Sequence, residues 1–359
     1  MRRLVTLTAI VAFVAAFGMT LSASPALAGH CDATVTAPSS IQDAVDAADF
    51  GDVVCLDDSG GSFFQTVVFG SEDSGITLTA EDGDAPTMDG TATGFAEAIR
   101  LLDGVTDVTI EGLEIRDYFG ASCCGVGNAI QAWAVNTSNI TVEGNYMHDN
   151  NYSAILVGSE GTQTHTGWAV HNNTVTDNAT EFFSPQIELT NCNGCSIHRN
   201  TVSGGAIGIL VQARNTVPDS GLVELHGVSV KNNTVSSTTP LDGSPTVGVY
   251  VLSLASGPVD PFPPIVGAQA NLQSVSLARN SVSGERAVQV LGFLGGQVIN
   301  PTVVRNELSC TGGLDIGIRL LGQVTNVKII KNDVDSCTTP LFEDASVEDT
   351  KLPAGLDFP

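Results

Sequence analysis

Three residues of this chain of 359 stand out as candidates for acid–base chemistry. His148 stands directly beside Asp149, and Glu188 lies about two sequence repeats further on. A carboxyl group or an imidazole can transfer a proton in a transition state, and two carboxyl groups that flank a glycosidic bond permit its hydrolysis. We therefore predict Glu188, His148 and Asp149 as catalytic candidates. The alternative is that they are ordinary polar surface, because spacing marks out no single pair of carboxyl groups.

A second group of acidic residues suggests a metal. Asp117, Asp149 and Asp177 recur at the same place in successive repeats. If the repeats stack at about 4.8 Å, these carboxylates repel one another unless they are protonated, hydrated or bridged by a cation. Ca²⁺ takes about six to eight oxygen ligands, and Asn150 and Asn178 beside the row could add some. The alternative, which we favour, is turn chemistry, in which the side chain bonds backbone amides.

The element that must position these residues is a repeat, clearest in residues 140–157, ITVEGNYMHDNNYSAILV. It predicts a strand, an asparagine at a corner, a short strand, a polar turn and a third strand. The corner asparagines are separated by 26 to 47 residues: Asn145, Asn173, Asn200, Asn233, Asn280, Asn306 and Asn332. Such a period without a helical pattern indicates a solenoid, in which each coil buries its apolar residues against the next. We expect the stacked asparagines to hydrogen-bond to one another.

The third strand of the repeat has the pattern small-apolar-x-apolar, and the residue between its two apolar positions is expected to face outward. These residues form one predicted column: Arg100, Gln131, Leu156, Glu188, Leu210, Tyr250, Gln289 and Arg319. Insertions rich in Gly, Pro, Ser or Asn interrupt the middle repeats and predict loops beside one sheet. In solenoids, insertions of this kind often mark the binding face.

The repeat resembles that of the parallel β-helix proteins of the pectin-lyase-like superfamily, over most of the chain. The string GDVVCL…GITLTAEDGDAPTMDG is similar to the opening coil of many secreted members. The resemblance implies an all-β fold, a right-handed parallel β-helix with a short N-terminal capping helix, and counting the repeats gives about nine to eleven coils. The predicted boundaries are a signal peptide at 1–28, an N-terminal cap at 29–50, the β-helix at 51–345 and a C-terminal tail at 346–359.

The capping helix is predicted from residues 36–50. Ser39 to Gln42 match a capping box, and Ile41, Ala44, Val45 and Ala48 recur at helical spacing. A helix here would cover the open end of the first coil, which otherwise exposes unpaired strand edges.

The resemblance also implies where a substrate would bind. In the enzymes of this superfamily the groove lies along an outward sheet face with loops as walls, so Gln131 and Tyr250 would contact a sugar near Glu188. Some relatives pair a lysine with an arginine, for which Lys231 and Arg214 are the available match, and Arg214 is the third substrate-binding candidate. The motifs NTD, GHG and RIK of polygalacturonase-like hydrolases are absent.

Two hypotheses for the function follow. The first is a secreted protein that binds and cleaves extracellular polysaccharide, as a lyase or glycoside hydrolase, with Ca²⁺ as a candidate cofactor. The second is a surface or matrix scaffold that binds a glycan without cleaving it. The missing signatures favour the scaffold, whereas the resemblance and the loop walls favour the enzyme.

The two ends and the charge of the chain bear on location and partners. Arg2 and Arg3 precede an apolar stretch, and Ala26-Leu27-Ala28 is typical of a cleavage site, so export is predicted. We expect a secreted monomer, not inserted in a membrane after cleavage. The net charge of −25, from 14 basic and 39 acidic residues, argues against nucleic acid as a partner.

Eight cysteines in an exported chain predict disulfides. Cys310 and Cys337 follow their corner asparagines at nearly the same distance in consecutive coils, so they are expected to pair. Cys31 and Cys55 could join the cap to the first coil. The pairing of the remaining four is left open: Cys123, Cys124, Cys192 and Cys195. For Cys192-Asn-Gly-Cys195 a structural turn disulfide is favoured over a redox pair or half a zinc site.

Overall fold

The computed structural model describes residues 30–91, 97–120, 127–159, 161–178, 184–238, 245–255, 267–312 and 315–351. Within these ranges most strands belong to three long sheets, here named sheets A, B and C, and every strand pair is parallel. Strands follow one another in chain order within each sheet, so each coil adds one strand to each sheet. The expected all-β parallel β-helix is confirmed.

Sheet A has eleven strands: Ala33–Thr36, Val53–Asp57, Thr77–Ala80, Thr109–Glu111, Thr141–Glu143, Ala169–His171, Ser196–His198, Ser229–Lys231, Ser276–Ala278, Thr302–Val304 and Lys328–Ile330. Sheet B has nine: Thr87–Asp89, Glu114–Arg116, Tyr146–His148, Thr174–Thr176, Thr201–Ser203, Thr234–Ser236, Ser281–Gly284, Glu307–Cys310 and Asp333–Asp335. Sheet C has ten: Val67–Phe69, Glu97–Leu101, Asn128–Trp133, Ile155–Gly158, Pro185–Thr190, Ile207–Arg214, Val247–Leu254, Arg286–Phe293, Ile316–Gly322 and Thr339–Glu343.

Two smaller sheets lie in the connections that follow the sheet C strands. One pairs His165–Thr166 with Cys192–Asn193. The other has four strands: Gly221–His226, Ala268–Gln273, Gly296–Ile299 and Val324–Thr325.

The core follows from the alternation of side chains along each short strand. In the sheet A strand Thr141–Glu143 only the middle residue, Val142, is buried. Val142 pairs in register with Ile110 on one side and Val170 on the other, and both are fully buried. Each coil therefore removes its apolar residues from water only by stacking on its neighbours, which is why the fold needs many repeats.

The corner asparagines form the expected ladder inside the molecule. Each Nδ2 donates to the Oδ1 of the next asparagine, from Asn145 to Asn332, at distances between 2.9 and 3.1 Å. The same Oδ1 atoms accept backbone N–H groups of the preceding corner, as Asn173 does from Asn145 at 3.0 Å. The ladder satisfies amides that would be costly to bury alone.

A capping helix lies at the N-terminal end of the β-helix, and two single bridges extend part of its C-terminal end. The capping helix is Ile41–Ala47, and its N-cap is Ser40 rather than Ser39, because the Ser40 hydroxyl accepts from the Asp43 N–H at 3.0 Å. At the other end, Glu348 and Lys351 form single parallel bridges to Thr325 and Lys328, so part of the predicted tail extends the sheets. In the described ranges no helix has the length and apolar character needed to cross a bilayer.

Three disulfides join described cysteines. Cys31–Cys55 and Cys310–Cys337 are both formed as predicted, with Cα atoms 5.6 and 4.9 Å apart. Cys192 and Cys195 pair with each other across a turn and are buried, which confirms the structural turn disulfide. Cys123 and Cys124 lie outside the described residues, as does the predicted signal peptide.

Candidate functional site

The column predicted on the outward face of the third strand is present on sheet C. Its members pair in register from coil to coil: Arg100, Gln131, Leu156, Glu188, Leu210, Tyr250, Gln289 and Arg319. The middle of this column is covered, because Leu156, Glu188 and Leu210 point out of the sheet yet are buried. Glu188 therefore lies at the centre of a covered part of the face.

Glu188 is a buried carboxyl group with a specific partner. It is 6% exposed, and the Thr190 hydroxyl donates to its Oε1 at 2.8 Å. Burial raises the pKa of Glu188, while the hydrogen bond from Thr190 and the charge of Arg214 oppose the rise. A carboxyl group whose pKa is raised in this way keeps its proton nearer to neutral pH, as a general acid requires.

Arg214 is positioned by a residue that the sequence analysis did not single out. Asn191 follows the Glu188 strand in the left-handed conformation, with φ +54°, and is fully buried. Its Oδ1 accepts from the Arg214 N–H at 2.8 Å, and its Nδ2 donates to the Arg214 carbonyl at 2.9 Å. Asn191 Nδ2 also contacts the Gly161 carbonyl at 3.1 Å, so it fixes two neighbouring connections beside Glu188. The polar pair Thr190-Asn191 after an apolar strand was the available signal.

Gln131 and Tyr250 lie on either side of Glu188 along the column. Each is two coils away, with Leu156 and Leu210 between, so each is about 10 Å from Glu188 at the usual strand spacing. The structure thus places the predicted Gln131, Glu188 and Tyr250 on one face, where an extended chain along the helix axis could contact all three.

His148 and Asp149 lie elsewhere. His148 is on sheet B, where its Nδ1 is 2.7 Å from Asp149 and its Nε2 is 3.0 Å from Glu114. Its ring also stacks on Tyr146, with centroids 4.3 Å apart. The structure does not bring this cluster together with Glu188, because the second strand of a coil turns at Asn150 before the third strand begins on sheet C.

Two of the three predicted calcium ligands already have nitrogen partners within the fold. Asp117, Asp149 and Asp177 all adopt the left-handed conformation of turn residues, with φ between 51° and 59°. The Asp117 carboxylate is 2.9 Å from the Arg116 guanidinium, and that of Asp149 is bound to His148. A cationic or histidine nitrogen thus already contacts one carboxylate oxygen of Asp117 and one of Asp149, and this donor set fits Ca²⁺ poorly.

Asn150 and Asn178, expected beside the aspartates, are buried in a second ladder. Asn150 Nδ2 donates to Asn178 Oδ1 at 2.7 Å, and Asn178 Nδ2 donates to Gln186 Oε1 at 3.1 Å. The Asn150 Oδ1 accepts the Tyr118 N–H at 3.1 Å. These oxygens are therefore used within the fold.

One acidic cluster in the described residues does bring three carboxylates within 4.8 Å of one another, namely Asp57, Asp58 and Asp84. It lies at the first coils, away from Glu188. Hydrogen bonds from Ser59 and Thr36 hold the pKa of Asp57 below its usual range. Asp58 also accepts the Ala85 N–H at 3.2 Å, so these side chains brace two adjacent turns.

Comparisons with known proteins agree with this architecture. No protein-family model matches the sequence, and no curated protein matches it. Among solved structures, the alginate lyase from Paenibacillus sp. str. FPU-7 is 14% identical with a TM-score of 0.52, over 88% of this chain and 99% of that one. The polygalacturonase from Erwinia carotovora ssp. carotovora is also 14% identical with a TM-score of 0.52, over 91% and 98%.

A tailspike protein, gp49 from the Acinetobacter baumannii bacteriophage Fri1, is described as a capsular polysaccharide depolymerase. It is 9% identical with a TM-score of 0.50, and the match covers 90% of this chain but 62% of the tailspike. The chain thus spans less than two thirds of that protein. At these identities the likeness shows the fold alone, which is a parallel β-helix.

Proposed function

We propose that this protein is secreted and binds and cleaves an extracellular polysaccharide along the outward face of sheet C, with Glu188 as the proton donor. The observation that carries the proposal is the buried Glu188 carboxyl group, which has a raised pKa and lies in the middle of an outward column. The fold supports it by analogy, since the similar structures include enzymes that act on polysaccharides.

In this proposal each residue has a distinct role. Glu188 gives its proton to the oxygen of the departing sugar, and Thr190 and Arg214 limit how far its pKa rises. Gln131 and Tyr250 contact sugar units on the two sides of the cleaved bond, since each lies two coils from Glu188. His148 and Asp149 take no part at this centre, because they lie on sheet B with Glu114.

Export and a monomeric state belong to the same proposal. The three disulfides support export, because such bonds persist in oxidising compartments. The capping helix at the N-terminal end supports a monomer, since a covered sheet edge does not invite strand pairing between chains.

A second candidate function, glycan binding without cleavage, is favoured by the depth of Glu188. A proton donor must touch its substrate, and only 6% of Glu188 is exposed. Catalysis requires the substrate to reach Glu188, so the atoms that bury Leu156, Glu188 and Leu210 must move aside. Binding at the exposed parts of the face does not require this movement.

The decisive experiment is a panel of neutral and acidic polysaccharides, assayed for unsaturated products and for new reducing ends, with wild type and Glu188→Gln. We expect the variant to lose about 10²- to 10⁴-fold in turnover, as removal of a general acid does. Glu97→Gln is the matched control: Glu97 is also buried on this face with its pKa raised by burial, three coils from Glu188.

The outcomes separate the two candidates. Loss of turnover in Glu188→Gln but not in Glu97→Gln supports the proposal, and equal turnover in wild type and Glu188→Gln removes Glu188 from the mechanism. Absence of turnover by wild type on every polysaccharide, together with measurable binding, establishes the second candidate instead.

A further inference from the structure

Two arginines converge on one amide oxygen on the outward face of sheet C. Arg286 Nη1 donates to Gln289 Oε1 at 2.9 Å, and Arg319 Nη1 donates to the same oxygen at 3.3 Å. Gln289 is itself buried at 4% exposure and pairs in register with Tyr250 in the preceding coil. Two positive charges, an amide and a phenol therefore share one small part of the face.

Arg286 reaches this face because its strand departs from simple alternation. Val247 pairs with Arg286 and Val249 with Val288, while the intervening Ala287 has no partner in the register. Arg286 and Gln289, three positions later, meet on the same side of the strand, as their hydrogen bond shows. The contact between Asn128 and Gln131 in an earlier strand repeats the geometry at 3.2 Å.

Among the described residues, carboxylates act on this arginine pair only at a distance, without direct ion pairs. Neither guanidinium forms a salt bridge with a carboxylate that the structure describes, although the chain has 39 acidic and 14 basic residues. The contrast with Arg116 is large, since that side chain contacts Asp89 at 2.6 Å and Asp117 at 2.9 Å.

Two carboxylates in the neighbourhood have other partners. Glu285 accepts the Thr246 N–H at 3.2 Å, and Asp344 accepts the Gly322 N–H at 3.0 Å. Their charges act on Arg286 and Arg319 only over a longer range. The Nε atoms of both arginines are buried with no hydrogen-bond partner in the described part of the chain.

This arrangement is costly in the absence of an anion. Burial and the neighbouring Arg319 charge lower the pKa of Arg286 to about 10. A guanidinium has five donors in a rigid fork, and an oxyanion is the group that satisfies them best. Arg319 is held in place from its other side, with Cζ 5.7 Å from the centroid of the Phe342 ring.

We propose that Arg286 and Arg319, with Tyr250 beside them, form a subsite for an oxyanion carried by the glycan, either a carboxylate or a sulfate ester. The inference rests on the proposed function, and it assigns an acidic polysaccharide as the substrate class. Three coils separate Gln289 from Glu188, about 14 Å at the usual spacing. The anionic group therefore belongs to a different sugar unit from the one that receives the proton.

The test is calorimetric binding of three matched oligosaccharides to the full-length protein: an oligogalacturonate, a sulfated galactan oligosaccharide and a neutral galactan oligosaccharide. We expect wild type to bind at least one acidic ligand more tightly than the neutral one. Arg286→Gln and Arg319→Gln should each lower the affinity for that acidic ligand by about 10- to 100-fold, which is the contribution of a charge-assisted hydrogen bond. The affinity for the neutral ligand should not change.

Arg279→Gln is the matched control. It removes one positive charge from an exposed corner next to sheet A, far from this face, and should leave all three affinities unchanged. If Arg286→Gln fails to fold, Arg319→Gln carries the test, because Arg319 lies near the C-terminal end of the column and is half-buried.

Equal affinity of wild type for neutral and acidic ligands, or acidic binding unchanged in both arginine variants, would overturn the subsite. The carboxylate and sulfate ligands identify which oxyanion is bound. Because the measurement is binding, it stands apart from catalysis. Binding that depends on the arginines, without turnover, would support the oxyanion subsite and contradict the proposed enzymatic function. Turnover that depends on Glu188, without any effect of the arginines on binding, would support the enzymatic function and contradict the subsite.

Discussion

Thr190 donates a hydrogen bond of 2.8 Å to Oε1 of Glu188 from two positions further along the same strand. Side chains two apart on a strand point to the same face, so the pair is fixed by the strand itself. The hydroxyl favours the ionised carboxylate, whereas burial favours the protonated form. These opposing effects set the protonation of Glu188.

Replacement of Thr190 by valine should therefore raise the pKa of Glu188 further. A proton donor works in its protonated form, so activity falls as pH rises through this pKa, and the falling limb should move to higher pH in Thr190→Val. The pH dependence of kcat/KM measures the shift, and Thr190→Ser, which keeps a hydroxyl, should behave like wild type. A limb that moves to lower pH would contradict this account.

His165 should make the protein sensitive to acid. It is fully buried, and burial lowers its pKa to about 4 from an ordinary value of 6.5. The folded state keeps His165 neutral while the unfolded chain takes up the proton, so its contribution to stability is present above pH 6.5 and lost as pH falls towards about 4. At 1.36 kcal/mol per unit the loss is about 3 kcal/mol.

Urea unfolding followed by tryptophan fluorescence between neutral and acidic pH measures this effect. His165→Gln should flatten the acid limb, whereas His226→Gln, at an exposed histidine, should not. An acid limb that is as steep in His165→Gln as in wild type would assign the sensitivity to other groups.

Asn233→Ala should destabilise the protein by about 2–6 kcal/mol, because it removes an acceptor from two buried donors at about 1–3 kcal/mol each. Those donors are the backbone N–H and the Nδ2 of Asn200, at 2.9 and 3.0 Å from Asn233 Oδ1. Asn332→Ala, at the last rung, should cost less, since this residue is partly exposed and water can replace it. Equal losses of free energy of unfolding would show that the ladder gains nothing from burial.

Removal of the Cys310–Cys337 disulfide by a double alanine substitution should loosen the C-terminal coils. The bond closes a loop of 27 residues, for which chain entropy gives about 3–4 kcal/mol. In a solenoid each coil contacts only its neighbours, so the loss should stay local. Hydrogen exchange should quicken in the last coils and stay slow near Asn145. In Cys31→Ala/Cys55→Ala, exchange should instead quicken in the first coils and stay slow in the last.

Calcium should not stabilise the row of aspartates after the sheet B strands. Arg116 and His148 already bind the carboxylates of Asp117 and Asp149, so added Ca²⁺ followed by a chelator should leave Tm unchanged. The Tm of Asp149→Asn should likewise be unaffected by Ca²⁺ or by the chelator. A calcium-dependent rise in Tm that disappears in Asp149→Asn would restore the metal site, and Asp58→Asn tests the separate cluster at the first coils.

The repeat in the sequence determined the columns of this protein. A period of about one coil places equivalent residues in register, so the asparagine ladder, the outward column from Arg100 to Arg319 and the Cys310–Cys337 bond could all be predicted before any coordinates. These features depend only on which residues are equivalent in successive repeats, and spacing along the chain encodes that directly.

The tertiary structure decided what each column contacts. Asn150 and Asn178 looked like metal ligands, but burial turned them into a second ladder. Arg286 would face the core by strict alternation, but the register skips Ala287 and Arg286 contacts Gln289, which Arg319 also contacts. Burial and local departures from strand alternation depend on how coils and connections pack around a residue, and spacing along the chain does not record that packing.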